Sequence, residues 1–319
     1  MRMMSKRALR RAAGMFKYKA LYCWPYKFKQ AKAKKLREEF RPKAFDLPQL
    51  PAPDSVEVEI HMLCGKYHLD MGIWASWSIL RFLKNAVLYV HSDGTLGEQE
   101  ADLFQKVVPS ARIVTKTQAD NRVKATVASI APRLCQWRET NLFAPQLIDM
   151  NLFGDRDRFL MLDADILCFS DPVELRTSLM AEELVFRWAQ DLRSCYAAPL
   201  PVLREMTQLQ VPEAVNLGPM VAPRLKQNDF DYLEHLFGHL QTEPTINLKI
   251  SWAPQTLYAV CAARCPQSRP LSRTYAVRLG RTSNRAVLRH YVSIPAIRPR
   301  FFTEGLPRLL TTMEKQLAD

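Results

Sequence analysis

Two short apolar runs enclose a pair of carboxylates in Arg158 to Leu175, RFLMLDADILCFSDPVEL, and no other stretch constrains the chain as tightly. Phe159 to Leu162 ends abruptly in Asp163-Ala164-Asp165, a second apolar run covers Ile166 to Phe169, and Asp171-Pro172 then opens a helix. Short apolar runs bounded by turn signals read as buried strands. Carboxylates left between such runs are costly unless they are paired or hold a cation. On an extended chain, residues two positions apart share a side, so Asp163 and Asp165 can face one divalent cation together. Mn²⁺ and Mg²⁺ take oxygen ligands and bridge readily to phosphates, which predicts binding of a nucleoside diphosphate through the metal. Two further Asp-x-Asp patterns, Asp155-Arg156-Asp157 and Asp229-Phe230-Asp231, follow no apolar strand and read as turn and helix-start carboxylates.

Strand-like and helix-like segments alternate around this stretch. Val56 to Leu63, Ala86 to His91 and Ala111 to Val114 read as strands, with helices over Leu69 to Leu83 and Glu98 to Val107. Residues 122–150 read as mostly helical, with a break near Pro132. Further on, Leu184 to Trp188 reads as a strand ending at Gln190-Asp191, and Ala286 to Val292 as a strand carrying His290. Phe230 to Leu240 and Glu304 to Leu317 read as helices. Asp171-Pro172-Val173-Glu174 has the form of a capping box with proline at the first helical position. Such alternation predicts an α/β fold, a mostly parallel central sheet flanked by helices. Ligands of such sheets gather at the carboxyl ends of the strands, where Asp93-Gly94 and Asp163/Asp165 fall. The glycine fingerprints of nicotinamide enzymes and of P-loop NTPases are absent.

Charge divides the chain in two. Of 45 Lys/Arg and 32 Asp/Glu, residues 1–43 hold 15 and 2, which leaves 30 of each sign in the remaining residues. A balanced body argues against a nucleic-acid reader, and no nucleic-acid partner is expected. The basic arm carries Met15, Phe16, Tyr18, Leu21, Tyr22, Trp24, Tyr26 and Phe28 among its cations. That mixture suits an anionic membrane surface, and equally an amphipathic tail packing on its own domain. Residues 44–54, with three prolines, read as a linker. The organisation expected is an arm and linker over 1–50 and one domain over 51–319. The apolar fraction of 48% fills a sizeable core, and no run is long enough to cross a bilayer. Seven cysteines without a regular framework suit a reducing compartment, so a cytoplasmic location is expected, peripheral to a membrane if the arm binds one.

The ordered set of motifs resembles the GT-A glycosyltransferases, nucleotide-diphospho-sugar transferases. It is closest to the retaining family that includes bacterial galactosyl- and glucosyltransferases and glycogenin. The resemblance rests on several features in order: the first strand, Ser92-Asp93-Gly94, Asp163-Ala164-Asp165, Val215-Asn216-Leu217-Gly218-Pro219, Gln255 in SWAPQTLYAV, and His290-Tyr291. It spans roughly residues 56–300. It implies a GT-A-like fold and transfer of a sugar, with retention, from a nucleotide-diphosphate sugar (a UDP-sugar is favoured) to a glycan or glycolipid acceptor. It implies that Asp163, Asp165 and His290 hold Mn²⁺ or Mg²⁺, and that Asn216 and Gln255 surround the donor sugar. Met62, Leu63 and Cys64 at the first strand end would line the nucleoside, with Asp93, Gly94, Ala164 and Gly218 also at the donor. Two departures stand out. Pro254 replaces the family's acid beside the glutamine, and its Lys-Pro-Trp after His-Tyr is missing, with only Arg298-Pro299 nearby.

From Cys261 to Arg308 there are ten arginines and one acid, Glu304. Arginine suits phosphate geometry, so Arg298 and Arg300 are candidates for the donor diphosphate. Asp191, after a strand and a tryptophan, is a candidate for orienting a sugar and equally an ordinary strand-end cap. A lone histidine beside an apolar strand is ordinarily a hydrogen-bonded core residue; the His-Tyr context favours His290 as a ligand. Rival readings are a sugar nucleotidyltransferase, for which Cys64-Gly65-Lys66 is a poor glycine-rich loop, and a non-catalytic GT-A-like protein binding glycan or membrane.

Overall fold

The computed structural model describes residues 14–17 and 19–318. Short helical segments (Lys19–Cys23 and Trp24–Tyr26) lead into helix α1 (Lys27–Phe45), followed by strand β1 (Val58–Cys64), helix α2 (Leu69–Leu80), strand β2 (Ala86–Ser92), helix α3 (Glu98–Val107) and strand β3 (Ala111–Val114). Helices α4 (Lys116–Thr126) and α5 (Pro132–Thr140) precede strands β4 (Arg158–Met161) and β5 (Ile166–Cys168) and helix α6 (Val173–Met180). The rest comprises β6 (Arg187–Gln190), α7 (Leu200–Thr207), β7 (Val215–Pro223), α8 (Gln227–Thr242), α9 (Ala253–Ala263), β8 (Arg269–Pro270), β9 (Leu288–His290) and α10 (Leu306–Ala318).

Seven strands form one sheet in the order β3-β2-β1-β4-β7-β6-β8. Only β7 runs against the others, pairing antiparallel with β4 and β6. The expected α/β class with a mostly parallel, helix-flanked sheet is what the chain adopts. Strands covered on both faces must be apolar on both, and β4 shows how this is met. Leu160 and Leu162 enter a core shared with α2 and α3, whereas Phe159 and Met161 enter a second core built on α8 and α9. The second sheet is a two-stranded ladder in which β5 pairs antiparallel with β9, placing Ile166 opposite His290. That pairing ties the segment after Asp165 to a histidine more than a hundred residues away.

Several local expectations are displaced. The strand expected over Ala286 to Val292 spans only Leu288–His290, and β7 begins at Val215, so Asn216 and Gly218 lie inside it. Asp171 and Glu174 make no capping box: Asp171 pairs with Arg176 at 2.7 Å, and Glu174 accepts from the Ser272 amide at 3.0 Å. A partner 98 residues distant outcompetes the local one. Asp163 and Asp165 also converge differently than expected, because the chain turns there, with the Ile166 amide bonded to the Asp163 carbonyl at 3.2 Å.

Part of the basic arm packs on the body. Ala33, Phe40 and Ala44 of α1 are buried with residues of α2 and α3, and Arg37 pairs with the buried Asp70 at 2.8 Å. Residues 44–54 are also tied down, since Trp77 donates to the Pro48 carbonyl and the Leu50 amide to that of Val107. Phe16, Leu21, Trp24 and Phe28 remain exposed. Residues 1–13 and Tyr18 lie outside the described residues. Among the described residues no helix is long and apolar enough to cross a membrane.

Candidate metal and donor site

The sheet delivers its acidic residues to one edge. Asp93 follows β2, Asp163 and Asp165 follow β4, and Asp191 follows β6, all at carboxyl ends. β9 brings in His290, whose Nε2 stands 2.9 Å from Asp165 Oδ1 and 3.3 Å from Asp163 Oδ2. Among the described residues this is the one trio of potential metal ligands whose donor atoms all lie within 4.8 Å of one another. Asp163 keeps 28% of its side chain exposed against 9% for Asp165 and 6% for His290, so the cluster opens to solvent beside Asp163.

A chain of hydrogen bonds fixes the imidazole. Asn216 Nδ2 donates to Asp191 Oδ2 at 2.8 Å, and Asn216 Oδ1 accepts from the Gly218 amide at 3.1 Å. The same oxygen lies 2.8 Å from His290 Nδ1, so Nδ1–H must donate to it. In a neutral imidazole this leaves the lone pair on Nε2, aimed at the two carboxylates. Such support from behind is how metal-binding histidines are oriented. Asp163 is steadied by Gln146, whose Nε2 donates to Oδ1 at 3.0 Å. Arg298 Nη2 reaches Asp165 Oδ2 at 2.6 Å.

The charges respond to this crowding. Burial lowers the His290 pKa, but the charge and hydrogen bond of Asp165, with Asp163 and Asp191, outweigh it and lift the imidazole to about 9. Burial also opposes ionisation of Asp165, yet Arg298 and His290 hold it below the usual carboxylate range. Asp163 moves the other way: burial raises it, and the Asp165 charge adds to this against the pull of His290. Two acidic oxygens and a buried nitrogen are a donor set suited to Mn²⁺ or Mg²⁺, with manganese the better match for imidazole.

The glycines here make room for carboxylates. A Cβ on Gly218 would stand 2.6 Å from Asp163 Oδ2, and one on Gly65 would stand 1.9 Å from Asp93 Oδ2. Asp93 is thus pressed against the end of β1, and its Oδ1 accepts from the Thr95 amide and hydroxyl at 2.9 and 2.6 Å. Gly94 has φ +97°, a turn conformation glycine adopts without strain.

Asp163, Asp165, His290, Asn216, Asp191, Gly218 and Arg298 are therefore drawn into one contiguous network. Other expected residues are placed elsewhere. The side chains of Met62 and Cys64 point into the core against Gly72 of α2, so neither can touch a nucleoside; Leu63 faces the opposite side and is half-buried. Ala164 is half-buried against the first core. Gln255, in the first turn of α9, donates to the Cys195 carbonyl at 2.9 Å and so braces the segment after Asp191. Arg300 is turned toward the Ala296 carbonyl and Glu304. Gln146 had no signature in the sequence, since a glutamine in a proline-bearing helical turn carries no motif.

No protein-family model matches the sequence, and no curated protein matches it. Solved structures do resemble the fold. The bifunctional glycosyltransferase WbbM is 15% identical, with a TM-score of 0.48, over 85% of this chain and 53% of its own. This chain thus spans about half the length of that protein. The galactosyltransferase LgtC, solved with donor and acceptor sugar analogues, is 10% identical over 77% of this chain and 94% of its own, with a TM-score of 0.46. The mannosyltransferase Ktr4p from S. cerevisiae is 11% identical over 73% and 74%, with a TM-score of 0.43.

Proposed function

We propose that the protein is a metal-dependent glycosyltransferase that moves a sugar from a nucleotide-diphosphate donor, a UDP-sugar by preference, to a glycan or glycolipid. The convergence of Asp163, Asp165 and His290 at the carboxyl end of β4 carries this reading. These three residues would hold Mn²⁺ or Mg²⁺, which when bound supplies Lewis-acid stabilisation to the departing diphosphate. Asn216 keeps Nε2 of His290 directed at the carboxylates. Arg298, half-buried beside Asp165, is the cation best placed to meet phosphate charge. Asp191 and Gln255 flank one loop and are assigned to orienting the donor sugar, with Asn216 between Asp191 and His290. Met62 to Cys64 enter only through their backbone and Leu63. Retention of configuration is part of the reading on the strength of the Asn216, Gln255 and His290 resemblance.

The proposed domain runs from about residue 51 to the end, with the arm before it. Exposed Phe16, Trp24 and Phe28 among lysines support contact of the arm with an anionic membrane surface, and so a peripheral cytoplasmic location. One observation favours a second reading. Asp165 already binds both His290 and Arg298, an internally satisfied set that a non-catalytic sugar-nucleotide binder would also retain. Incubating the protein with UDP-hexoses and Mn²⁺, and following UDP release, separates the two. The transferase releases UDP, and EDTA or Asp163→Asn/Asp165→Asn stops it. UDP-sugar binding with no release across the nucleotide-sugar series would leave only the binder.

A further inference from the structure

A second cluster of charge lies apart from the carboxylates. Arg273, Arg278, Arg285 and Arg289 line a cleft of 490 Å³, together with Thr274 and Ser283, and no acidic residue lines it. The volume falls within the range of small-molecule sites, roughly 300–1,000 Å³. Arg273, Arg278 and Arg285 are exposed, and among the described residues none of the three takes part in an ion pair. Arg289 is different: it is 3% exposed. Its Nη atoms donate to Thr282 Oγ1 at 2.9 Å and to the Arg278 and Gly280 carbonyls at 3.1 and 2.7 Å. Its Nε is buried and has no hydrogen-bond partner. Its ion-pair partner among the described residues is Glu304, whose Oε2 stands 4.0 Å from Nη1 and which does not line the cleft. Four guanidinium groups therefore meet at a cleft with no acid in its lining and with one donor unused, an arrangement that favours an anion, because like charges repel and an unsatisfied donor is costly.

The cleft is distinct from the metal cluster. Arg289 and His290 are consecutive in β9, so their side chains leave opposite faces of that strand. The diphosphate of a donor held at Asp163 and Asp165 does not account for it.

We propose that this cleft is a second anion site that binds a phosphate group, free or carried as a monoester, with Arg289 as its buried anchor and Arg273 and Arg285 closing on the phosphate oxygens. Guanidinium groups match such oxygens two bonds at a time. The site stands whatever reaction takes place at Asp163.

Calorimetric titration of the full chain with inorganic phosphate, and separately with glucose 6-phosphate, tests it. Arg289 braces its own loop, so Arg273→Ala/Arg285→Ala is the informative variant, because neither side chain makes a hydrogen bond or ion pair among the described residues. Phosphate should bind the wild type and Asp163→Asn/Asp165→Asn equally, and the arginine variant at least about tenfold more weakly. Tighter binding of glucose 6-phosphate than of phosphate would assign the site to a sugar-borne phosphate, and equal binding to free phosphate. No binding of either probe to the wild type overturns the proposal. So does unchanged affinity in the arginine variant, or loss of binding in the aspartate variant, which would put the anion at the metal cluster.

Discussion

Gly218→Ala probes the link between backbone packing and the metal cluster without touching a ligand. The added methyl would lie 2.6 Å from Asp163 Oδ2, 2.8 Å from Cγ and 3.0 Å from Cβ, against about 3.4 Å for ordinary contact. Either β7 or the carboxylate must give by roughly 0.8 Å. β7 is held on both sides by β4 and β6, whereas Asp163 is held by Gln146 at 3.0 Å and His290 at 3.3 Å. The carboxylate is the softer partner and should move. Metal sites tolerate displacements of only about 0.2 Å, so Mn²⁺ affinity should fall roughly 10- to 100-fold, the scale seen when a supporting residue is lost. Stability should drop by only about 1–3 kcal/mol, the usual range for overpacking. Calorimetric Mn²⁺ titration beside urea unfolding reads both quantities. Wild-type Mn²⁺ affinity in a folded Gly218→Ala protein would refute the argument that Asp163 is held in place to bind metal.

Other perturbations have equally definite outcomes. Asn216→Ala removes the acceptor behind His290 Nδ1, and Mn²⁺ affinity should fall about 10- to 100-fold with the fold kept; unchanged affinity would remove Asn216 from the site. Arg224→Met strips the buried Glu59 of its 2.5 Å ion-pair partner and should cost about 3–5 kcal/mol by urea unfolding. A loss under about 1 kcal/mol would show that the amides of Asp155 and Arg156 satisfy Glu59 on their own. Burial, followed by neighbouring cations, pushes the pKa values of His61 and His91 well below the ordinary 6.5. The folded state keeps both neutral where the unfolded chain protonates, so what this pair contributes to stability is intact above pH 6.5 and falls below it. The slope is about 1.4 kcal/mol per pH unit for each histidine. His290, lifted to about 9, contributes a constant term in that window. A flat stability profile between pH 6.5 and 5 would contradict this account of the histidine pair.

The parts of the fold legible in the sequence were those fixed by local pattern. Phe159 to Leu162 is apolar at every position because β4 faces two cores, and that same burial made the acids after it conspicuous. The position of His290 could be expected from its His-Tyr context, but its pairing with Ile166 across the second sheet could not, because that contact is long-range. Facing was harder to read. Met62 and Cys64 share a parity that points into the core, and a strand apolar on both sides gives no hint of which parity meets a ligand. Pattern failed outright where a distant donor won, as when the Ser272 amide claimed Glu174. The arginine-rich stretch was visible as composition, yet only folding shows that Arg298 joins the carboxylates while Arg273, Arg278, Arg285 and Arg289 gather elsewhere.

The central claim is that Asp163, Asp165 and His290 bind a nucleoside diphosphate through a divalent cation. Calorimetric titration of UDP in the presence and absence of Mn²⁺, into the wild type and Asp163→Asn/Asp165→Asn, tests it most directly. The account predicts UDP binding that requires Mn²⁺ and is lost in the double variant. Mn²⁺-dependent binding that persists unchanged in the double variant would contradict it.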